Sequence, residues 1–134
     1  MTPTPYFALA SVVLDSSDAR KLASFYRQLL GWSVVENEPG WVKLTPPGGG
    51  PGLSFQSEPA YIPPTWPSDQ ARQQMQLHLD IAVDDLEAAG ALAAAAGATL
   101  ADYQPQETVR VFLDPAGHPF CLFHRERPKI VAQE

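Results

Sequence analysis

A histidine and an aspartate lie two residues apart, at His78 and Asp80, and together they offer a proton acceptor beside a carboxylate. The run around them alternates apolar residues with polar or small ones, which predicts a β-strand. Side chains two residues apart in a strand point to the same face, so we expect both groups on one side of a sheet. Two interpretations stay open: a catalytic acid/base pair, or a wall histidine hydrogen-bonded to Asp80 or to water. The apolar members of the run, which we expect to pack beneath a helix, are Leu77, Leu79, Ile81 and Val83.

A proline-rich connection over residues 59–72 is the second region of interest, because it carries Tyr61 and Trp66. Ser68 is a suitable N-cap for a short helix reaching Gln74. Long connections with aromatic residues often close over a ligand. The same aromatic residues are equally suited to pack between two parts of the chain or at a dimer contact. Both interpretations stay open.

Composition and charge limit the possible partners and compartment. The 134 residues suit one domain, and 15 acidic against 9 basic residues give a net charge of -6. Binding to nucleic acid needs clustered cations, which the sequence lacks, so we exclude that partner. The single cysteine, Cys121, excludes an internal disulfide and fits a reducing compartment. We expect a cytoplasmic protein without membrane association, because residues 1–6 lack signal-peptide features and the apolar stretch over residues 88–98 is too short to cross a bilayer.

The first half of the chain predicts a strand, a helix and three further strands. Ser16 and Ser17 offer hydroxyl groups for the helix N-cap, and Gly31 marks the end of the helix. The apolar face of the helix consists of Leu22, Phe25, Tyr26, Leu29 and Leu30. The predicted strands cover residues 9–15, 32–36, 41–45 and 53–56.

The second half repeats this order. Asp84 with Glu87 three residues later resembles a capping box for a helix that ends at Gly97. The predicted strands of this half cover residues 77–83, 98–103, 108–113 and 119–123.

The two halves match each other at a nearly constant offset. Residues 11–18 align with residues 78–85 at an offset of 67, and Thr45 aligns with Asp114 at an offset of 69, which makes Trp41 and Arg110 equivalent. Such internal repetition predicts an α+β fold of two tandem βαβββ modules. The predicted boundaries within one domain are module 1 at about residues 7–57, a linker at 58–74, module 2 at about 75–125 and a tail at 126–134.

The motifs of both halves resemble the glyoxalase/bleomycin-resistance/dioxygenase, or vicinal oxygen chelate, superfamily. In order along the chain they read SVVLDSSD from Ser11, LLGW from Leu29, HLDIAVDD from His78 and DPAGHPFC ending at Cys121. The resemblance covers residues 9–123. It implies curved mixed sheets around a shared cleft, a small-molecule ligand and a homodimer. The side chains it would place in the cleft from the two first strands are Ser11, Val13 and Asp15, and His78, Asp80 and Ala82.

Enzymes of that superfamily usually hold a divalent metal through His, Glu or Gln at four equivalent positions. The resemblance carries these positions to Ser11, His78, Cys121 and Gln56, with Ser54 as the alternative to Gln56. Only His78 is a ligand of the usual kind, so the site is interpreted as degenerate. A divalent Zn, Fe, Ni or Mn ion stays possible, with Asp80 as a third ligand for zinc. The simpler interpretation of Cys121 is a small buried apolar side chain.

The resemblance therefore implies a protein that binds or sequesters a small organic molecule, as bleomycin-resistance proteins do. The alternative is a metal-dependent enzyme, either a lyase similar to lactoylglutathione lyase or an extradiol-type dioxygenase. A metal-free enzyme with His78 and Asp80 as acid and base is the third hypothesis. The candidate residues of the ligand cleft are His78, Asp80, Gln56, Cys121, Ser11, Trp66 and Tyr61.

Overall fold

The structure is a computed structural model that describes residues 4–128. These residues belong to two compact units that divide between Tyr61 and Ile62, inside the predicted linker. Each unit contains one helix and one four-stranded mixed sheet. The predicted α+β class with two βαβββ modules is confirmed. Of the predicted tail, residues 129–134 lie outside the described part of the chain.

Module 1 follows the predicted order of one strand, one helix and three strands. Its sheet has the order β1-β4-β3-β2, in which β1 runs parallel to β4 and the other neighbours are antiparallel. The elements are β1 (Ser11–Ser16), α1 (Ala19–Leu30), β2 (Ser33–Glu38), β3 (Trp41–Thr45) and β4 (Gly52–Ser57).

Module 2 repeats the arrangement with a sheet of order β5-β8-β7-β6, in which β5 runs parallel to β8. The elements are β5 (Leu79–Val83), α2 (Leu86–Ala96), β6 (Thr99–Leu100), β7 (Val109–Leu113) and β8 (Pro119–His124). Neither helix of the described residues is long and apolar enough to span a bilayer.

The N-cap of α1 is Asp18, so the prediction of Ser16 or Ser17 is wrong. The Asp18 side chain accepts a hydrogen bond from the backbone N–H of Lys21 at 3.2 Å. Strand β1 continues through Ser16, which still pairs with β4. The chain must leave the sheet before a helix can start, and this moves the cap towards the C-terminus.

The N-cap of α2 is Asp85, one residue beyond the predicted Asp84. Its carboxylate accepts from the N–H of Ala88 at 3.0 Å. The carboxylate of Asp84 instead pairs with the guanidinium of Arg127 at 2.6 Å. The capping interaction is therefore the ordinary one from N-cap to N3, shifted by one residue.

The two helices cover their sheets differently. Helix α1 buries large side chains, among them Tyr26, whose ring stacks on Phe55 with centroids 5.6 Å apart. Within Leu86–Ala96 only Ala93 is buried. Gly90 allows this small helix to lie close to the sheet, since a Cβ there would be 3.3 Å from the ring of Phe112.

Weak cover by α2 has a consequence for the apolar side of β5. Leu79, Ile81 and Val83 are half-buried, whereas Leu77 precedes the strand and remains 55% exposed. The prediction that Leu77 packs beneath the helix is therefore wrong. Helix α2 packs mainly against β8 and β6, and Leu77 lies before the start of β5, away from that contact.

One predicted strand of module 2 is shorter than expected, and the helix predicted within the linker is wrong. The strand expected over residues 98–103 is limited to Thr99–Leu100. The helix expected to start at Ser68 is a turn, in which the Asp69 side chain accepts from the N–H of Ala71 at 2.9 Å. A segment this short gains too few helical hydrogen bonds to offset the cost of helix nucleation.

Candidate functional site

His78, Asp80 and Cys121 converge on one face of the module 2 sheet. Strands β5 and β8 place Asp80 directly opposite Cys121, and paired residues project to the same face. His78 precedes β5, and its Nε2 lies 3.0 Å from Oδ1 of Asp80. The possible ligand atoms of the three side chains all lie within 4.8 Å of one another. We call these three residues the polar cluster.

Burial and charge keep the sulfur of the polar cluster protonated. Burial raises the pKa of the Cys121 thiol, and the charge of Asp80 and a hydrogen bond to it raise that pKa further. The side chains of His78 and Asp80 are 40% and 61% exposed. Solvent and solutes therefore reach the imidazole and the carboxylate, while the thiol is a poor nucleophile at neutral pH.

The polar cluster forms one wall of a cavity of about 620 Å³. This volume is in the range of small-molecule sites. All residues that line the cavity belong to the second unit. Beyond the polar cluster, the lining includes Trp66, Val109, Val111, Phe123, Gln106 and His124.

Trp66 is attached to the segment that follows β6. Its indole Nε1–H donates to the backbone carbonyl of Tyr103 at 3.1 Å, and the two rings lie 6.0 Å apart. Trp66 therefore lies on the wall of the cavity. Its role in closing over a ligand stays a prediction.

Gln104 holds the same segment against β7. Its Nε2 donates to the carbonyls of Ala101 and Val111, both at 2.8 Å, and its Oε1 accepts from the N–H of Val111 at 2.9 Å. The carboxamide therefore supplies hydrogen bonds that a longer β6 would otherwise make to β7. The chain can then turn away and place Pro105, Gln106 and Thr108 on the cavity wall.

The matching positions in module 1 carry different residues. Val13 pairs with Ser54 in module 1, and Asp80 pairs with Cys121 in module 2. Val13 is therefore the counterpart of Asp80, and Ser54 is the counterpart of Cys121. Ser54 is completely buried, and its Oγ lies 2.6 Å from Oγ of Ser11.

The strand register and the unit boundary also show where the remaining predicted site residues lie. Ser54, and not Gln56, occupies the place of Cys121; Gln56 is exposed and pairs with Asp15 and Trp41. Tyr61 lies in the first unit, where its N–H donates to the carbonyl of Glu58 at 3.1 Å. The lid role of Tyr61 stays a prediction, and so does a cleft shared by the modules.

The equivalence of Trp41 and Arg110 is wrong by one residue. Trp41 pairs with Gln56 as Val109 pairs with Phe123, so Val109 is the counterpart of Trp41. Arg110 pairs with the buried Leu122, on the other face of the sheet from the cavity. The connections between the strands differ in length in the two modules. The offset of 69 between Thr45 and Asp114 therefore does not hold along β3 and β7.

The donor atoms of the polar cluster fit a divalent metal of intermediate softness. Two ligand atoms of a tetrahedral zinc ion lie about 3.3 Å apart, and the separation of 3.0 Å between His78 and Asp80 is close to that. Imidazole nitrogen and thiolate sulfur suit zinc, iron or nickel better than manganese, which prefers oxygen. When bound, such an ion would supply a Lewis acid at this end of the cavity.

Sequence reasoning missed several residues of this site. Phe123 and Val111 follow from the strand alternation around Cys121 and would have been found by extending it along β8 and across to β7. Gln104 has no comparable signal, because a glutamine in a connection looks like any solvated polar residue.

Comparison with known proteins identifies relatives at the level of fold. Residues 11–123 match the protein family described as "Glyoxalase-like domain". A glyoxalase/bleomycin resistance protein/dioxygenase family enzyme from Burkholderia phytofirmans PsJN is 21% identical, with a TM-score of 0.64 over 88% of this chain and 98% of its own. The comparison with curated proteins finds no match.

Two further solved structures have the same fold and different described roles. An antibiotic binding protein from Streptomyces sp. CB03234 is 20% identical, with a TM-score of 0.57 over 92% of this chain and 98% of its own. Lactoylglutathione lyase from Agrobacterium tumefaciens is 19% identical, with a TM-score of 0.58 over 90% of this chain and 96% of its own. Identities this low establish a common fold and leave the activity open.

Proposed function

The chain belongs to the glyoxalase-like domain family, and from this premise we propose that it binds a small organic molecule in the cavity of module 2. The observation that carries the proposal is the combination of aromatic walls with a polar cluster at one end. Small-molecule sites in proteins are typically apolar cavities with a few convergent polar groups.

The lining indicates the charge of the ligand. Among the described residues around the cavity, neither lysine nor arginine is present, while Asp80 contributes a largely exposed carboxylate. The imidazoles of His78 and His124 are the lining groups that can become cationic, and neither carries a permanent positive charge. A neutral or cationic molecule with a planar ring suits the carboxylate together with the face of Trp66, whereas the guanidinium of Arg125 already lies over the ring of Phe123, 5.3 Å from its centroid.

Binding without conversion is supported by the residues that replace the family's metal ligands. Ser11 and Ser54 hold two of those positions, and their hydroxyl groups are weak neutral ligands that lie within hydrogen-bonding distance of each other. The metal site of the family is thus degenerate in module 1. The antibiotic binding protein of the same fold is a precedent for sequestration, and we propose that role here.

The neutral dye Nile red tests the cavity directly. We expect its fluorescence to rise on binding to the wild-type protein, and expect Trp66→Ala and Phe123→Ala to weaken binding by about tenfold, since each removes a large apolar contact. Trp41→Ala in module 1 is the matched control and should leave the dye affinity unchanged. Bleomycin should displace the dye. Equal dye binding by the wild type and both cavity variants would contradict the proposal.

A metal-dependent lyase or dioxygenase is the second candidate, favoured by the three donor atoms within 4.8 Å. The test incubates the protein with methylglyoxal, glutathione and zinc, iron or nickel and follows the gain of thioester absorbance as lactoylglutathione forms. Activity that requires the added ion and disappears in His78→Ala would support the lyase. No turnover with any of the three ions would argue against it.

We also propose the homodimer implied by the family resemblance. Large apolar residues such as Val35 and Leu100 are exposed in the described part of the chain, at 54% and 53%, and exposed apolar surface favours association. Size-exclusion chromatography with light scattering measures the mass, and a monomer at micromolar concentration would contradict the proposal.

A further inference from the structure

The geometry points to a metal site formed by module 2 alone, in which His78, Asp80 and Cys121 bind one zinc-like divalent ion. This differs from the arrangement implied by the family resemblance, which takes ligands from equivalent positions of both modules. It adds Asp80, which is not one of those four positions, and it does not depend on the organic ligand proposed above.

The first argument is the donor set and its spacing. The polar cluster offers one nitrogen, one oxygen and one sulfur atom, all within 4.8 Å of one another. Catalytic and exchangeable zinc sites commonly use three protein ligands and leave the fourth position open. The exposed sides of His78 and Asp80 leave room for a fourth ligand from the cavity.

The second argument is rigidity. Asp80 and Cys121 are directly paired across β5 and β8, and β8 is also paired with β7 along its length. Two of the three ligands therefore stand on paired strands whose separation the sheet hydrogen bonds determine. His78 lies just before β5, and its Nε2 is already 3.0 Å from Oδ1 of Asp80. Ligands held on regular elements lose little entropy when an ion binds.

The third argument is that module 1 cannot form a twin site. Val13 stands where Asp80 stands in module 2 and has no donor atom. The hydroxyl groups of Ser11 and Ser54 lie 2.6 Å apart and satisfy each other. The chain should therefore bind one ion, and ions that prefer nitrogen and sulfur should compete better than magnesium or calcium.

Titration of the purified full-length chain with cobalt(II) tests the site, because cobalt replaces zinc and is visible in absorption. Cobalt binding replaces the proton of the Cys121 thiol, which is released to solvent. We expect one equivalent, with visible bands of tetrahedral intensity and a near-ultraviolet charge-transfer band from thiolate to cobalt. Cys121→Ser should remove the charge-transfer band. His78→Ala and Asp80→Ala should each weaken cobalt binding by more than about 100-fold, the upper end of what the loss of a partner outside the first coordination shell costs.

Matched controls come from the twin positions of module 1. Ser11→Ala and Ser54→Ala should leave the cobalt spectrum and affinity unchanged, zinc should displace cobalt, and magnesium should not. Circular dichroism checks that each variant is folded, and Cys121→Ala replaces Cys121→Ser if the latter is not.

Three results would overturn the inference: cobalt bound without a thiolate band, binding unaffected by Asp80→Ala, or binding lost in Ser11→Ala. Nile red binding by the same samples separates this outcome from failure of the cavity proposal. A protein that binds the dye but no cobalt retains its proposed function and loses the metal site.

Discussion

At matched places in two sheets of the same topology, module 1 holds Ser11, Val13 and Ser54, whereas module 2 holds His78, Asp80 and Cys121. The backbone pairing is the same in both, with a parallel first and last strand. In module 1 the hydroxyl groups of Ser11 and Ser54 form one half-buried contact, and Val13 adds no polar group. In module 2 the matched side chains form a solvent-accessible group of metal-ligand type. The fold therefore provides the position, and the residue at that position decides the chemistry.

The helices differ in burial in the same direction, with more buried side chains in module 1 than in module 2. Helix α1 contributes Leu22, Phe25 and Tyr26 to the core, while α2 buries only Ala93 of its residues Leu86–Ala96. A fully buried large side chain stabilises a fold by about 1.5–3 kcal/mol. Module 1 thus has an extensive helix–sheet contact and no polar cluster at the matched positions. Module 2 has a small helix–sheet contact and carries the candidate site.

The last difference concerns the outer strand. Strand β2 pairs with β3 over Ser33–Glu38, whereas β6 has the two residues Thr99–Leu100 and is supplemented by the side chain of Gln104. Shortening this strand releases the chain that forms the cavity wall. The following predictions test these contrasts, beginning with the largest effect.

Phe55→Ala should cause the largest change, because it empties the space between β4 and α1 where Phe55 is fully buried against Tyr26. We expect a loss of about 3–5 kcal/mol in the free energy of unfolding, measured by urea titration. Leu92→Ala on the exposed side of α2 is the control and should change stability by less than about 0.5 kcal/mol. Equal losses for the two variants would remove the contrast between the helices.

Gln104→Ala should have an intermediate effect. It leaves the N–H of the buried Val111 without its carboxamide partner, which costs about 1–3 kcal/mol, whereas the carbonyl of Val111 keeps the N–H of Ala101 at 3.0 Å. It should also weaken Nile red binding, since the cavity wall loses its attachment. Gln104→Glu keeps the acceptor and loses both donors, so it should resemble alanine in dye binding. Unchanged stability and dye binding would show that the hydrogen bonds from the Gln104 side chain to β7 are not needed to compensate for the short β6.

The smallest effect concerns thiol reactivity. Burial and then Asp80 raise the pKa of the Cys121 thiol. Its alkylation by iodoacetamide should therefore begin to increase at a higher pH than the alkylation of a free cysteine. Asp80→Asn removes the negative charge, lowers the pKa relative to wild type and should speed alkylation several-fold at pH 8, read by mass spectrometry.

The twin position provides the comparison for that measurement. Ser54→Cys in a Cys121→Ser background places a thiol at the completely buried site of module 1, where alkylation should be slower than at Cys121. Faster alkylation there would mean that module 1 opens more readily than module 2.

Much of the fold follows from local patterns. The spacing of Leu22, Phe25 and Tyr26 predicts α1, and Gly31 lies at its end with the positive φ of 72° expected of a helix C-cap. The alternation around His78 and Asp80 predicts β5, although the strand starts one residue after His78. Caps were misplaced by one or two residues, because the end of a strand depends on its partner strand as well as on its own sequence.

The sequence by itself determined the two-module α+β fold and the shared face of His78 and Asp80, since helix and strand periods depend on residues close together in the chain. Only the tertiary structure decided that Ser54 and not Gln56 matches Cys121, that Cys121 lies beside Asp80, and that Gln104 closes the edge of the second sheet. Those relations depend on strand register and on connections between distant segments. Hydrogen bonds across a sheet set the register, and no local period specifies which residues face each other.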